Sequence, residues 1–141
     1  MKIDIAKQWV EALNSGTYKQ GQGKLHSTDY DGTCMYCCLG VLCDLFMQQN
    51  PDELDVRVVT RNKVESPEHY QMLSKNDESL HVYDNDSVVL PLRVREWAGM
   101  SDPLGRFTNA SLAQDSLAEL NDHGMSFAKL ADVITVHVAE L

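Results

Sequence analysis

Tyr36-Cys37-Cys38-Leu39-Gly40-Val41-Leu42-Cys43-Asp44-Leu45-Phe46-Met47-Gln48 is almost wholly apolar. Buried strands usually end within about eight residues, whereas this run continues until Asn50-Pro51 stops it. It therefore predicts a buried helix over 36–48, apolar all round, with other elements packed against it.

Upstream, Ile5, Trp9, Val10 and Leu13 share one face of a helix over 3–14, and Gly16 follows as a stop. Residues 17–25 read as extended, although Gly21 and Gly23 weaken a strand there. Downstream, Val56, Val58 and Val59 mark a strand within 54–60. Leu80, Val82 and Tyr83 alternate with polar residues as a second strand. Val88-Val89-Leu90, after Asp84-Asn85-Asp86, reads as a third. A short helix after Pro91 carries Val94 and Trp97. Leu112, Ala113, Leu117 and Leu120 stripe a helix over 111–121. The turn Asn121-Asp122-His123-Gly124 places Gly124 at a left-handed position. Ser126 then caps a last helix, with Met125 and Leu130 spaced for a hydrophobic staple and Phe127, Leu130, Ala131 and Ile134 facing inward. The sum is α+β: a single compact domain over 1–141 with a buried central helix, a C-terminal helical hairpin and a small antiparallel sheet. Residues 48–87 form a polar, strand-containing excursion from it.

The chain has 141 residues, 43% hydrophobic and 23% charged, which is a globular composition able to bury one core. No apolar run approaches the roughly 20 residues of a membrane span, and Met1-Lys2-Ile3-Asp4-Ile5 lacks the apolar core of a signal peptide. A cytoplasmic protein is expected. The 12 basic and 21 acidic side chains leave a net charge of −9, which argues against generic binding of phosphate backbones. The acid is uneven: residues 1–70 sum to −3 and residues 71–141 to −6.

Cys34, Cys37, Cys38 and Cys43 lie within ten residues. Cysteines bunched on one helix cannot staple distant parts of a fold, so free thiols are expected. Cys34-x-x-Cys37 has metal-ligand spacing, but Cys38 and Cys43 point in different directions on a helix, and no metal site is expected. The same pair lacks the preceding strand of a thioredoxin-like redox unit. Cys37 sits near the start of the central helix, where the helix dipole favours a thiolate nucleophile. His26 or His123 is then the candidate base, with Asn121 or Asp122 to orient it. Against this stands ordinary core packing, the usual fate of free cysteine.

Tyr18-Lys19-Gln20-Gly21-Gln22-Gly23-Lys24-Leu25-His26 is the best candidate for anion contact. Glycines admit a ligand to the backbone and the lysines supply charge. The spacing is neither a P-loop nor a dinucleotide fingerprint. Gly124-x-Ser126-Phe127-Ala128-x-Leu130-Ala131 resembles the entry to a helix-turn-helix. No recognition helix fits before Leu141, and direct DNA binding is not expected.

Several segments occur together in order. They are Trp9-Val10-Glu11-Ala12-Leu13, Lys19-x-Gly21-x-Gly23-Lys24-Leu25, Tyr36-Cys37-Cys38-Leu39-Gly40-Val41-Leu42-Cys43-Asp44, Leu90-Pro91 with Trp97-Ala98-Gly99, and Leu120-Asn121-Asp122-x-Gly124-x-Ser126-Phe127-x-x-Leu130-Ala131-Asp132. This set is similar to a family of small, functionally uncharacterised proteins of phages and prophages. The resemblance points to Cys37, Gly40, Asn121 and Asp122, implies the host cytoplasm as location, and carries no established activity.

The functional expectation is a binding protein without a cofactor. It would sequester a small anionic, nucleotide-like ligand or antagonise a host defence protein. Lys19 and Lys24 would meet the anion, Gly21 and Gly23 would admit it, Tyr18 or Tyr36 would stack on a base, and Asn121 and Asp122 would read polar edges. Self-association would enlarge the site. The alternatives are a hydrolase or transferase using Cys37, and an acidic inhibitor of a nucleic-acid-binding protein.

Overall fold

The computed structural model describes residues 1–60, 77–109, 111 and 113–141. In order, the elements are α1 (Ile3–Asn14), β1 (His26–Asp29), β2 (Cys34–Tyr36), α2 (Cys38–Gln49), β3 (Val56–Thr60), β4 (Asp77–Tyr83), α3 (Leu92–Ala98), β5 (Arg106–Thr108), β6 (Gln114–Ser116), α4 (Leu117–Asp122) and α5 (Phe127–His137). Strands β2-β1-β4-β3 form one antiparallel sheet, and β5 and β6 form a small second one. This is the α+β arrangement expected, with α4 and α5 as the C-terminal hairpin.

Helix α2 is the buried axis. Cys38, Leu39, Val41, Leu42 and Cys43 have no exposed surface. Ile5, Ala6, Trp9 and Leu13 turn the inward stripe of α1 into the same core, and the Trp9 indole donates to the Cys38 carbonyl at 2.9 Å. The first turn of α2 presses on the chain just before β1. A Cβ at Gly40 would lie 1.6 Å from the Leu25 carbonyl oxygen, so only glycine permits the approach. Phe127, Leu130, Ala131 and Ile134 of α5 close the core from the other side. The Ser126 hydroxyl caps α5 by accepting from the Lys129 amide.

Residues 17–25, expected as extended chain with its strand character weakened by Gly21 and Gly23, pair through the one-residue parallel bridge of Gln20 to Tyr36. Two expectations are corrected. Val88-Val89-Leu90 is not a strand. The Asp86 carboxylate takes the Val88 and Val89 amides at 2.8 and 2.9 Å, a local turn that competes with sheet pairing. The helix expected over 111–121 covers only Leu117–Asp122, because Gln114–Ser116 pair as β6 and the Ser116 hydroxyl then caps the helix by accepting from the Glu119 amide. Leu112 lies outside the described residues, as does much of the 48–87 excursion. Among the described residues no helix is long and apolar enough to cross a membrane.

Candidate functional site

The glycine–lysine segment is tied down from the far end of the chain. Asn121, at the last turn of α4, is fully buried. Its Oδ1 accepts from Gln20 Nε2 at 3.0 Å and from the Cys38 amide at 3.2 Å. Its Nδ2 donates to the Gly21 carbonyl at 2.8 Å and to Asp122 Oδ1 at 3.2 Å. Two bonds accepted and two donated exhaust a carboxamide. Asp122 Oδ1 also takes the Gly23 amide at 2.8 Å. Gln20 completes the clasp: its Nε2 donates to the Met125 carbonyl, and its Oε1 accepts from the Phe127 amide. One side chain thus caps α2 from 83 positions away and fixes the glycine loop. The role expected of Asn121, reading a ligand's polar edges, is corrected: it has no hydrogen-bonding capacity left. Gly21 is a close-approach position, with a Cβ there 3.0 Å from Met35 Cβ, whereas Gly23 sits at φ +71° in open space.

Cys37 is the N-cap residue of α2, as the sequence suggested, but its side chain is buried. Burial pushes the thiol up to about 12, against the opposing pull of the Gly40 and Leu39 amides, and Asp122 adds to the rise. The thiol is therefore protonated at neutral pH, and the dipole-stabilised thiolate is corrected: desolvation outweighs the helix start. Among the described residues no hydrogen bond joins either candidate base to Cys37. His123 is exposed on the α4–α5 turn, and the ring contacts of His26 go to Tyr36, His81 and Tyr83. Cys38 and Cys43 are core residues with thiols pushed up by burial, and Cys38 Sγ donates to the Leu117 carbonyl. Cys34 is exposed. Native protein treated with iodoacetamide at pH 7 is expected to gain one adduct, on Cys34, by peptide mapping. Rapid modification of Cys37 under those conditions would reinstate the nucleophile. Among the described residues no three His, Cys, Asp or Glu side chains are grouped to hold a metal ion.

Three expected residues do come together, in a ring ladder between the sheet and α2. Tyr36 of β2 faces His26 of β1 in register, and their rings stack at 4.1 Å. His26 stacks on His81 of β4 at 3.7 Å, nearly parallel. Tyr18 meets Tyr36 edge-on at 5.1 Å. The Tyr18 hydroxyl donates to Asp44 Oδ2 at 2.5 Å, and Gln48 Nε2 donates to the same oxygen at 2.7 Å. Both groups come from α2. Tyr83, Asp44 and Gln48 are not marked as site candidates by the sequence, and His81 is only one of its five histidines. The alternation of 79–83 hinted at one face, but only the β1–β4 register brings His81 to His26.

The two imidazoles are neutral at physiological pH. Burial, then the neighbouring His81, lowers His26 to about 4, with Asp44 opposing; burial also lowers His81. His26 Nδ1 lies 3.2 Å from the buried Tyr83 hydroxyl. If that hydroxyl donates, His26 carries its proton on Nε2. His26 Nε2 and His81 Nδ1 are buried and have no hydrogen-bond partner among the described residues. A group whose folded pKa lies below its unfolded value stabilises above the unfolded value and loses that contribution as pH falls. Stability is therefore expected to decline from about pH 6.5 to about pH 4, by up to about 1.4 kcal/mol per pH unit per proton. Urea midpoints of wild type and His26→Gln across this range check it: the variant's profile should be flatter, and equal slopes would contradict the assignment.

The lysines flank this ladder in sequence. Lys19 is exposed, Lys24 is half-buried, and none of the ion pairs among the described residues engages either. The Lys19 carbonyl accepts from the Tyr36 amide at 2.9 Å, which puts its backbone against the ladder. A separate cavity of about 370 Å³ opens at the α4–α5 turn, lined by His123, Gly124, Ser126 and Lys129 with Leu120 and Met125.

A family model described as a domain of unknown function (DUF8296) matches residues 1–138. No curated protein and no solved structure matches the chain.

Proposed function

We propose a function for a chain that belongs to the DUF8296 family, a domain of unknown function: it binds a small, planar, anionic ligand of nucleotide type without transforming it. The observation that carries this is the ring ladder Tyr18–Tyr36–His26–His81, half-exposed at its tyrosine end and bordered by Asp44 and Gln48. Ring stacking tolerates any base, and the polar edge supplies carboxylate and amide oxygens as acceptors for its substituents, the Gln48 amide group already donating to Tyr18 and Asp44. Lys19 and Lys24 meet the charged group, held at fixed positions because the Asn121–Gln20 clasp fixes the loop between them. The buried Cys37 thiol leaves the enzyme reading without an activated nucleophile.

This reading gives the chain a phage or prophage origin and the host cytoplasm as its place of action. There, capture of a signalling nucleotide would blunt a host defence. The segment resemblance supports the origin, and the net charge of −9 favours a small ligand over extended nucleic acid.

Calorimetry and thermal shift with purine and pyrimidine nucleoside monophosphates test the proposal. At least one is expected to raise the melting temperature. Tyr36→Ala should weaken it roughly ten- to a hundredfold, the scale of one lost stacking contact. Lys19→Ala and Lys24→Ala should weaken the phosphorylated ligand and spare the free nucleoside. No response to any member, or unchanged binding by Tyr36→Ala, would overturn it.

A further inference from the structure

Helix α1 carries a second stripe besides the one it buries. Ile3, Lys7, Val10 and Glu11 recur at helical spacing on its outer side. With Thr135 and Val138 from the end of α5 they line a groove of about 320 Å³. Its apolar surface is open: Ile3 is 64% exposed. The groove is preformed, because the Met1 amino group donates to the Val138 carbonyl at 3.0 Å and pins the start of α1 to the end of α5.

The charges on the groove favour one occupant. Lys7 and Glu11 stand one turn apart, and none of the ion pairs among the described residues engages either. Two copies of α1 crossing antiparallel about a two-fold axis at the level of residue 9 bring Lys7 of each copy opposite Glu11 of the other. One Lys–Glu spacing thus yields two cross-copy pairs, the self-complementarity an isologous contact requires. A partner recognising this acidic chain by its net charge would seek a surface of one sign, and this groove is balanced. We infer that the α1–α5 groove is the interface at which two copies of the chain pair.

The test is the mass of the full chain by sedimentation equilibrium over micromolar to submillimolar concentration. Wild type should pass from 15.8 kDa towards twice that mass. Lys7→Glu sets glutamate against glutamate twice and should raise the dissociation constant at least tenfold. The exchange Lys7→Glu/Glu11→Lys restores both pairs and should return it to near the wild-type value. Melting curves of the monomeric species confirm that the variants fold. Wild type that stays at 15.8 kDa throughout, or an exchange variant as weak as Lys7→Glu, would overturn the inference.

Discussion

Gly40→Ala is expected to abolish cooperative folding. The added methyl would sit 1.6 Å from the Leu25 carbonyl oxygen and 2.5 Å from its carbon, well inside contact distance. Both are backbone atoms, so no rotamer change relieves the clash. Either α2 moves away from the chain entering β1, or β1 moves with His26 and the ladder. Helix α2 carries the core residues Leu39, Val41, Leu42 and Phe46, so its displacement opens the whole interior. Ordinary overpacking costs about 1–3 kcal/mol when side chains can yield. A backbone clash of this size exceeds that and competes with a total stability of about 5–15 kcal/mol. Near-UV circular dichroism and a urea melt read the outcome. Gly23→Ala is the control, since Gly23 has φ +71° and open space, and only the backbone strain of about 1–2 kcal/mol applies. A Gly40→Ala protein that melts within a few degrees of wild type would contradict the packing described.

Asn121→Ala is expected to have the second-largest effect. It strands the Cys38 amide at the start of α2 and the Gly21 carbonyl in the loop, two buried groups left without this partner. At about 1–3 kcal/mol for each stranded group, the loss is about 2–6 kcal/mol, or roughly 10 °C in melting temperature. Asn121→Asp keeps the acceptor for Cys38 but loses both donated bonds and puts a carboxylate beside Asp122. It should be less stable at pH 8 than at pH 5, the sign of a buried acid that resists ionisation. His123→Ala, two residues on and exposed, should change little. An Asn121→Ala melting temperature near wild type would show that the clasp is not structural.

The parts of the fold legible in the sequence were those written by local chemistry. The apolar run at 36–48, the stripe at Ile5, Trp9 and Leu13, and the Ser126 cap each announce an element within a few residues. The errors came where side chains or strand pairing redirect the backbone. Asp86 takes the amides that Val88 and Val89 would offer a strand, and the pairing of Gln114–Ser116 as β6 starts α4 late. At the site, Tyr18, Tyr36 and His26 were visible as candidate residue types. Their association with His81 depends on which strands pair, and that of Tyr18 with Asp44 on how α2 lies under the sheet; neither leaves a local trace. Asn121 shows how little a local reading says about a polar side chain's role. A polar residue at a rigid turn reads as a ligand contact until its partners at Gln20, Gly21 and Cys38 are seen to use it up.

The division of labour that results is simple. The clasp around Asn121 holds the loop, α2 positions Asp44 and Gln48, and the sheet lines up the rings. Binding and stability should therefore respond differently: Tyr36→Ala should cost affinity and, through its lost contacts with Tyr18 and His26, a smaller share of stability than Asn121→Ala, which removes buried hydrogen bonds.

The most direct test is a nuclear magnetic resonance titration of the full chain, labelled with nitrogen-15 and carbon-13, with each ribonucleoside monophosphate in turn. The account predicts that for at least one of them the His26 and His81 imidazole nitrogens and the Tyr36 ring shift together and saturate at one concentration. Shifts confined to His123, Ser126 and Lys129 at the α4–α5 turn, or no shift with any of them, would contradict it.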